Sequence, residues 1–67
     1  MSKRHSKKDK QNLAEKLRAY RNKHNITQEE LARKLGVTVF SINRWETGKH
    51  YPTASVIKLM DMLKMFV

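Results

Sequence analysis

Two short helix-forming segments meet at a single glycine in the middle of this sequence. Thr27 can cap the first segment through its hydroxyl group, and Glu30, three residues later, completes the pattern of a capping box. Leu31 and Leu35 then recur at helical spacing. Gly36 follows at the point where a residue in the left-handed conformation ends a helix. The pattern therefore predicts a short helix that begins after Thr27 and ends before Gly36.

A second short helix is predicted from about Thr38, with Ile42 and Trp45 on its inner face. Because only a tight turn at Gly36 and Val37 joins the two helices, they must cross steeply, and the second helix is left protruding. This is helix-turn-helix geometry, in which the second helix can enter the major groove of DNA. On this face we expect Trp45 to pack in the core rather than to stack on a base.

Two further helices complete the predicted fold. One spans about Lys10 to His24, and Asn25 is expected to end it in the left-handed conformation that asparagine tolerates. The other spans about Ala54 to Met65. The apolar stripes of these helices consist of Leu13, Ala14, Leu17, Tyr20, Val56, Leu59, Met60 and Leu63. Since no segment alternates apolar and polar residues as a strand does, the sequence predicts a compact, all-α, four-helix domain.

Length and composition limit the classes of protein that this chain can form. Its 67 residues allow one small core, and the absence of cysteine removes disulfides and thiolate metal sites. No apolar run is long enough for a membrane span, and the polar start of the chain does not have the apolar segment of a secretory signal. We therefore expect a protein of the cytoplasm, without a membrane partner.

The balance of charge points to a polyanionic partner. Fifteen Lys and Arg residues against six Asp and Glu residues give a net charge of +9. We divide the chain into a basic, flexible arm over residues 1–10 and a domain over residues 11–67. The arm carries Lys3, Arg4, Lys7, Lys8 and Lys10. Two interpretations remain open: an arm that follows the DNA backbone, or a solubilising tail that is partly an expression remnant.

Neither catalysis nor metal binding has support in the sequence. His5, His24 and His50 lie on a tail, a helix end and a loop, far apart along the chain. We find no nucleophile with a neighbouring base, no glycine-rich phosphate loop and no HExxH motif. We therefore expect no enzyme, no cofactor, no metal and no small-molecule substrate.

Over about residues 11–64 the chain resembles the lambda-repressor-like, or Cro/C1-type (XRE), helix-turn-helix DNA-binding family. The most specific match is the run Gln-x-x-Leu-Ala, then a Gly after four residues, then Glu-x-Gly-Lys starting ten residues beyond that Gly. The residues that carry the resemblance are Arg21, the segments 27–32, 35–37, 41–42 and 45–49, and Pro52. The chain departs from the family pattern at Asn25, where members often have glycine, and in the early start of its last helix.

The resemblance implies roles for particular residues. Arg21 and Glu46 would form an ion pair that fixes the second helix of the motif, and Gln28 would bind backbone phosphate. Ser41 and Lys49 are expected on flanking phosphates. Side chains expected to face the groove are Thr38, Val39, Phe40, Asn43 and Arg44.

Base chemistry sharpens the expectation for four of those side chains. Arg44 can span O6 and N7 of guanine, and Asn43 can pair with adenine. Val39 and Phe40 can only lie against thymine methyl groups, where family members often have polar residues. Phe40 has a second interpretation, as a contact with a partner protein.

The end of the chain leaves assembly open. The familiar fold often has a fifth helix, whereas this chain stops at Val67, so it is a four-helix domain or a truncated five-helix one. The apolar residues left over there are Met62, Met65, Phe66 and Val67. They form a dimer contact, or they cover the bottom of the core. A small contact of this kind predicts a weak homodimer, or a dimer formed only on DNA.

The sequence as a whole predicts a nucleoid-associated regulator that binds double-stranded DNA of defined sequence, and a repressor in particular. Two alternatives remain. One is the DNA-binding antitoxin of a toxin–antitoxin pair, with the apolar C-terminus as the partner contact. The other is a basic adaptor that binds protein or RNA.

Overall fold

The computed structural model describes residues 6–66, which form four helices. They are α1 (Lys7–His24), α2 (Gln28–Leu35), α3 (Val39–Glu46) and α4 (Ala54–Met62). The described residues contain no strand, so the prediction of an all-α fold is confirmed. None of these helices is both long and apolar enough to cross a membrane.

Helix α1 begins three residues earlier than predicted, because a capping box precedes it. The Ser6 hydroxyl accepts from the Asp9 backbone N–H at 3.1 Å, and the Asp9 carboxylate accepts from the Ser6 N–H at 3.4 Å. The predicted start at Lys10 is therefore wrong, and so is a flexible arm that reaches residue 10. The helix includes Lys7, Lys8 and Lys10.

The turn between α2 and α3 forms as the sequence predicts. The Thr27 hydroxyl accepts from the Glu30 N–H at 3.0 Å, and the Glu30 carboxylate accepts from the Thr27 N–H at 2.8 Å. Gly36 has φ +68°, the left-handed value predicted for the end of α2. Asn25 ends α1 in the same conformation, with φ 56°. Both helix ends are thus fixed by local chemistry.

The core lies around α3, which packs against both α1 and α2. Leu17, Leu31 and Ile42 are completely buried, one from each of these helices. Tyr20 is only partly buried and packs against the edge of this core. Among the described residues, the main cluster of the core consists of Leu13, Leu17, Leu31, Ala32, Leu35, Ile42, Trp45, Met60 and Met65.

Helix α4 starts at Ala54 as predicted but ends at Met62 rather than at Met65. Lys64 adopts φ 57°, and the Met65 N–H donates to the Met60 carbonyl at 3.1 Å. A left-handed residue at this position reverses the chain, as in common helix-ending motifs. The prediction of a helix through residue 65 is therefore wrong.

The same reversal exchanges the surroundings of two apolar side chains. Met65 turns back into the core and is 7% exposed, whereas Leu63, which was expected inside, is 39% exposed. The prediction for Leu63 is wrong, because it assumed that helical spacing continues past Met62. The burial of Met65 agrees with the interpretation that this end of the chain covers the bottom of the core. The apolar side chains exposed at this end of the described chain are Met62, Leu63 and Phe66. Val67 lies outside the described residues.

Candidate nucleic-acid interface

The last residue of α3 carries a buried carboxylate. Glu46 is 4% exposed, and Arg21 of α1 approaches it with two nitrogen atoms. Arg21 Nε lies 2.7 Å from Glu46 Oε2, and Arg21 Nη2 lies 2.9 Å from Glu46 Oε1. A bidentate ion pair of this type fixes the relative orientation of the two side chains as well as the distance between them. It joins α1 to the C-terminal end of α3.

Two more side chains converge on the same residue. Gln28, at the start of α2, donates from Nε2 to Glu46 Oε1 at 3.0 Å. Arg18 donates to the Glu46 backbone carbonyl. We call Arg18, Arg21, Gln28 and Glu46 the Glu46 cluster. It connects α1, α2 and α3, and in the described part of the chain every buried side-chain nitrogen or oxygen has a hydrogen-bond partner.

The Glu46 cluster holds its carboxylate in the charged form. Burial by itself raises the pKa of Glu46, but hydrogen bonds from Arg21 and Gln28, with the charges of Arg21 and Arg18, outweigh it. The net result is a pKa below the usual value. The same hydrogen bond has the opposite effect on Arg21, whose pKa it raises. Breaking either side would leave a buried charge without compensation.

Two members of this cluster differ from what the sequence suggested. Arg18 had no predicted role, although it precedes Arg21 by three residues, a spacing that puts both on one helix face. Gln28 was expected on a phosphate, whereas here one of its amide hydrogens is used on Glu46. A carboxamide has two such hydrogens, so one is left for a phosphate oxygen.

The first turns of α3 present side chains to solvent. The Thr38 hydroxyl caps the helix by accepting from the Ser41 N–H at 3.1 Å, and it also donates to the Ser41 hydroxyl at 3.1 Å. Val39 is 39% exposed and Phe40 is 64% exposed. We define the exposed face of α3 as Thr38, Val39, Phe40, Asn43 and the half-buried Arg44. Trp45 lies on the other side, in the core.

The Arg44 side chain lies between two rings. Its guanidinium carbon is 5.1 Å from the centre of the Phe40 ring, within the range of a cation–π contact. Arg44 Nη2 is also hydrogen-bonded to His50 Nε2. The sequence predicts no role for His50, and no local signal exists for one, because the contact depends on the path of the loop after α3.

The start of α1 lies beside that loop. Gly48 has φ +75°, and a Cβ atom there would come 4.0 Å from Gln11 Nε2 of α1. Loss of solvation lowers the pKa of His50, and the positive charges of Arg44, Lys10 and Lys49 lower it further. Basic side chains from α1 and from the loop therefore lie near the C-terminal end of α3. Lys3 and Arg4 are outside the described residues.

A groove of about 580 Å³ lies away from α3, between α1 and α4. Its apolar lining includes Leu13, Ile57, Met60 and Phe66. No residue of α3 lines it. Within residues 6–66, no group of histidine and acidic side chains is arranged to hold a metal ion.

Comparison with known proteins identifies the family. The helix-turn-helix family model matches residues 17–61, which is more than half of the chain. The chain belongs to the Cro/C1-type helix-turn-helix family. Members of this family are DNA-binding regulators of transcription.

Two relatives carry the same segment. The HTH-type transcriptional activator BcrR of Enterococcus faecalis is 46% identical over 47 residues, which cover 70% of this chain and 23% of BcrR. The uncharacterized HTH-type transcriptional regulator MJ0272 of Methanocaldococcus jannaschii is 49% identical over 41 residues, covering 61% of this chain and 62% of MJ0272. The chain thus spans less than two thirds of either relative's length. No solved structure matches it.

Proposed function

We propose that this chain binds double-stranded DNA of defined sequence by placing the exposed face of α3 in a major groove. The proposal rests on the difference in exposure between the two ends of α3. Its C-terminal end is fixed by the buried Glu46, while Phe40, one and a half turns earlier, is 64% exposed. A helix that is anchored in the core at one end and exposed to solvent at the other can be inserted into a groove without unfolding the domain.

The chemistry of the exposed face assigns a partner to each side chain. Arg44 can donate two parallel hydrogen bonds to guanine, and Asn43 can pair with adenine. Val39 and Phe40 contribute apolar contacts to thymine methyl groups. Thr38 is occupied as a helix cap, so its share of recognition is the contact of its methyl group.

Phosphate contacts surround this face in the proposal. Ser41 of α3 and Lys49 of the following loop contact the flanking phosphates, and Gln28 supplies its second amide hydrogen. The basic residues at the start of α1 add a sequence-independent attraction to the backbone. In a cell such a protein would act in the cytoplasm, at the nucleoid.

We propose repression as the regulatory output. A domain bound across a promoter blocks polymerase by exclusion alone, whereas activation needs a further favourable contact. The relative BcrR is named as an activator. A reporter with the binding site overlapping the promoter should be repressed, and a reporter with the site upstream should be unaffected; stimulation from the upstream site would contradict repression.

We further propose that two copies pair on DNA. One inserted helix reads few base pairs, whereas two copies related by a two-fold axis read half-sites about one helical turn apart. Met62, Leu63 and Phe66 are exposed at this end of the chain, and three side chains offer only a small apolar contact. The protein should therefore be a monomer or a weak dimer alone, with cooperative pairing on a palindrome. Calorimetry that gives one protein per specific duplex would contradict this.

The proposed function is tested by selecting bound duplexes from a random library at fixed salt concentration. We expect enrichment of a short palindromic motif. The enriched duplex should then hold the protein against an excess of bulk RNA or heparin. Absence of enrichment, or equal displacement by RNA and heparin, would favour a basic adaptor over a DNA-binding regulator. The exposed Met62 leaves a second candidate, an antitoxin, which would also show the palindrome but would bind a toxin through this surface.

A further inference from the structure

We infer that His50 positions the Arg44 guanidinium for base recognition, and that it thereby sets sequence specificity without contacting a base. The inference rests on the proposed function, because it requires α3 to read base pairs. His50 lies in the loop after α3 and is not one of the core residues.

Two contacts of different kinds hold the Arg44 guanidinium. The Phe40 ring, one helical turn earlier, lies 5.1 Å from the guanidinium carbon. His50 Nε2 takes a hydrogen bond from Nη2. The first contact holds the group beside the ring, and the second restrains the position of one of its nitrogen atoms. Together they restrict a long, flexible side chain before any ligand is present.

This arrangement leaves the recognition chemistry of Arg44 intact. A guanidinium group carries five N–H donors, and His50 uses one of them. Enough remain for the paired hydrogen bonds to a guanine edge. Ordering the side chain in advance reduces the conformational entropy that is lost when the base contact forms. The predicted gain in binding affinity is therefore largest for the one base pair that Arg44 contacts.

The hydrogen bond requires a neutral imidazole, because Nε2 must carry a lone pair to accept from Arg44. The charged groups that face His50 are Arg44 of α3, Lys10 of α1 and the adjacent Lys49, all of them positive. They oppose a further positive charge on the ring and keep it neutral at neutral pH. Acidification would protonate Nε2, release Arg44 and add a cation beside the DNA backbone.

Opposite changes in specificity and in bulk affinity are therefore the signature of this arrangement. Below the pKa of His50, discrimination at the Arg44 base pair should fall because Arg44 is no longer held. Affinity for a random duplex should rise slightly over the same pH range, because phosphate attracts the added charge. A histidine that only contacted phosphate would raise both affinities together.

The experiment measures binding of the full chain to the selected duplex and to its three variants at the Arg44 base pair. His50→Ala should reduce discrimination at that pair by about three- to tenfold, with little change on random duplexes. His50→Gln, whose side-chain carbonyl can accept from Arg44, should restore most of it and remove the pH dependence. His24→Ala, an exposed histidine at the far end of α1, is the matched control and should behave as the parent.

Nitrogen NMR of the histidine rings without DNA gives a readout that does not depend on the proposed function. The His50 Nε2 resonance should shift when Arg44 is replaced by alanine, and the His24 resonance should not. An unshifted His50 resonance would overturn the inference, and so would unchanged or uniformly reduced base preferences in His50→Ala. A parent protein with no base preference at all would overturn the proposed function together with the inference, whereas a normal parent preference isolates the failure to His50.

Discussion

The two ends of α3 face opposite environments although the helix has only eight residues. Glu46 at the C-terminal end is 4% exposed and receives hydrogen bonds from three side chains of α1 and α2. Phe40 at the N-terminal end is 64% exposed, and the Arg44 side chain folds back over its ring. The contrast shows that one short helix can be fixed in the core at one end and exposed to solvent at the other. Substitutions at the C-terminal end should therefore reduce stability, whereas substitutions at the exposed end should change DNA binding.

The largest effect is expected from removing the buried carboxylate. Glu46→Ala leaves Arg21 partly buried without its partner, which should cost about 3–5 kcal/mol of folding free energy. Total stabilities of domains are only about 5–15 kcal/mol, so most of the fold's stability is at stake. The thermal midpoint should drop by about 12 °C or more, or cooperative melting should disappear.

Glu29→Ala is the matched control for this variant, because Glu29 is an exposed residue in the first turn of α2. Its melt should stay close to that of the parent. If Glu46→Ala also melted cooperatively within a few degrees of the parent, the Glu46 cluster would not be what holds α3.

A smaller loss of stability is expected in acid, from the same carboxylate. The pKa of Glu46 is lower in the folded chain than the ordinary value that it regains on unfolding. Its contribution to stability is therefore complete above that ordinary value and is lost as the pH falls through the lower, folded value. Urea unfolding from neutral to acidic pH should show this decline.

Glu46→Gln separates this carboxylate from the other acidic groups. The variant should be less stable at neutral pH and should lose less stability on acidification than the parent. Parallel pH profiles of the two proteins would show that Glu46 does not contribute to the acid dependence.

At the exposed end, Arg44→Ala should change recognition and leave folding intact. Removing the bidentate pair of hydrogen bonds to guanine should cost about 1–3 kcal/mol of discrimination at one base pair. Competition binding with single-position duplex variants measures this directly, and a thermal melt provides the folding control. An equal loss of affinity on cognate and random duplexes would show that Arg44 contacts only phosphate.

The smallest effect is expected from the basic start of α1. Replacing Lys7 and Lys8 by alanine keeps the Ser6–Asp9 cap, which a deletion of residues 2–10 would remove. Each lysine that neutralises a phosphate in the parent should, when replaced, reduce the slope of log affinity against log salt by about 0.9. Lys23→Ala with Lys58→Ala, at other exposed positions, is the control pair. An unchanged slope in the Lys7 and Lys8 variant would remove this end of α1 from the interface.

The elements that sequence predicts well here are those with a local cause. The capping box at Thr27 and Glu30, the left-handed Asn25 and the left-handed Gly36 all lie where neighbouring residues alone decide the backbone. The Ser6–Asp9 capping box has the same kind of signal, so the start of α1 is also encoded locally. Local chemistry is sufficient at each of these places.

Elements that depend on tertiary packing cannot be predicted from the local sequence in the same way. The reversal at Lys64 has no glycine to mark it, so helical spacing wrongly places Leu63 in the core and leaves the position of Met65 undecided. At the site, the exposure of Val39 and Phe40 follows from helical spacing. The Gln28 contact with Glu46 and the His50 contact with Arg44 join residues from different elements, and no sequence pattern indicates them.

The most direct test of the contrast between the two ends of α3 is a titration of the isotope-labelled chain with the selected duplex, followed by NMR. We expect the largest shifts at residues 38–44 and at the proposed phosphate contacts Gln28 and Lys49. Small shifts are expected at Arg18, Arg21 and Glu46, and at the groove residues Leu13 and Ile57. Shifts concentrated on the groove residues Ile57 and Phe66, with residues 38–44 unchanged, would contradict a DNA interface on α3.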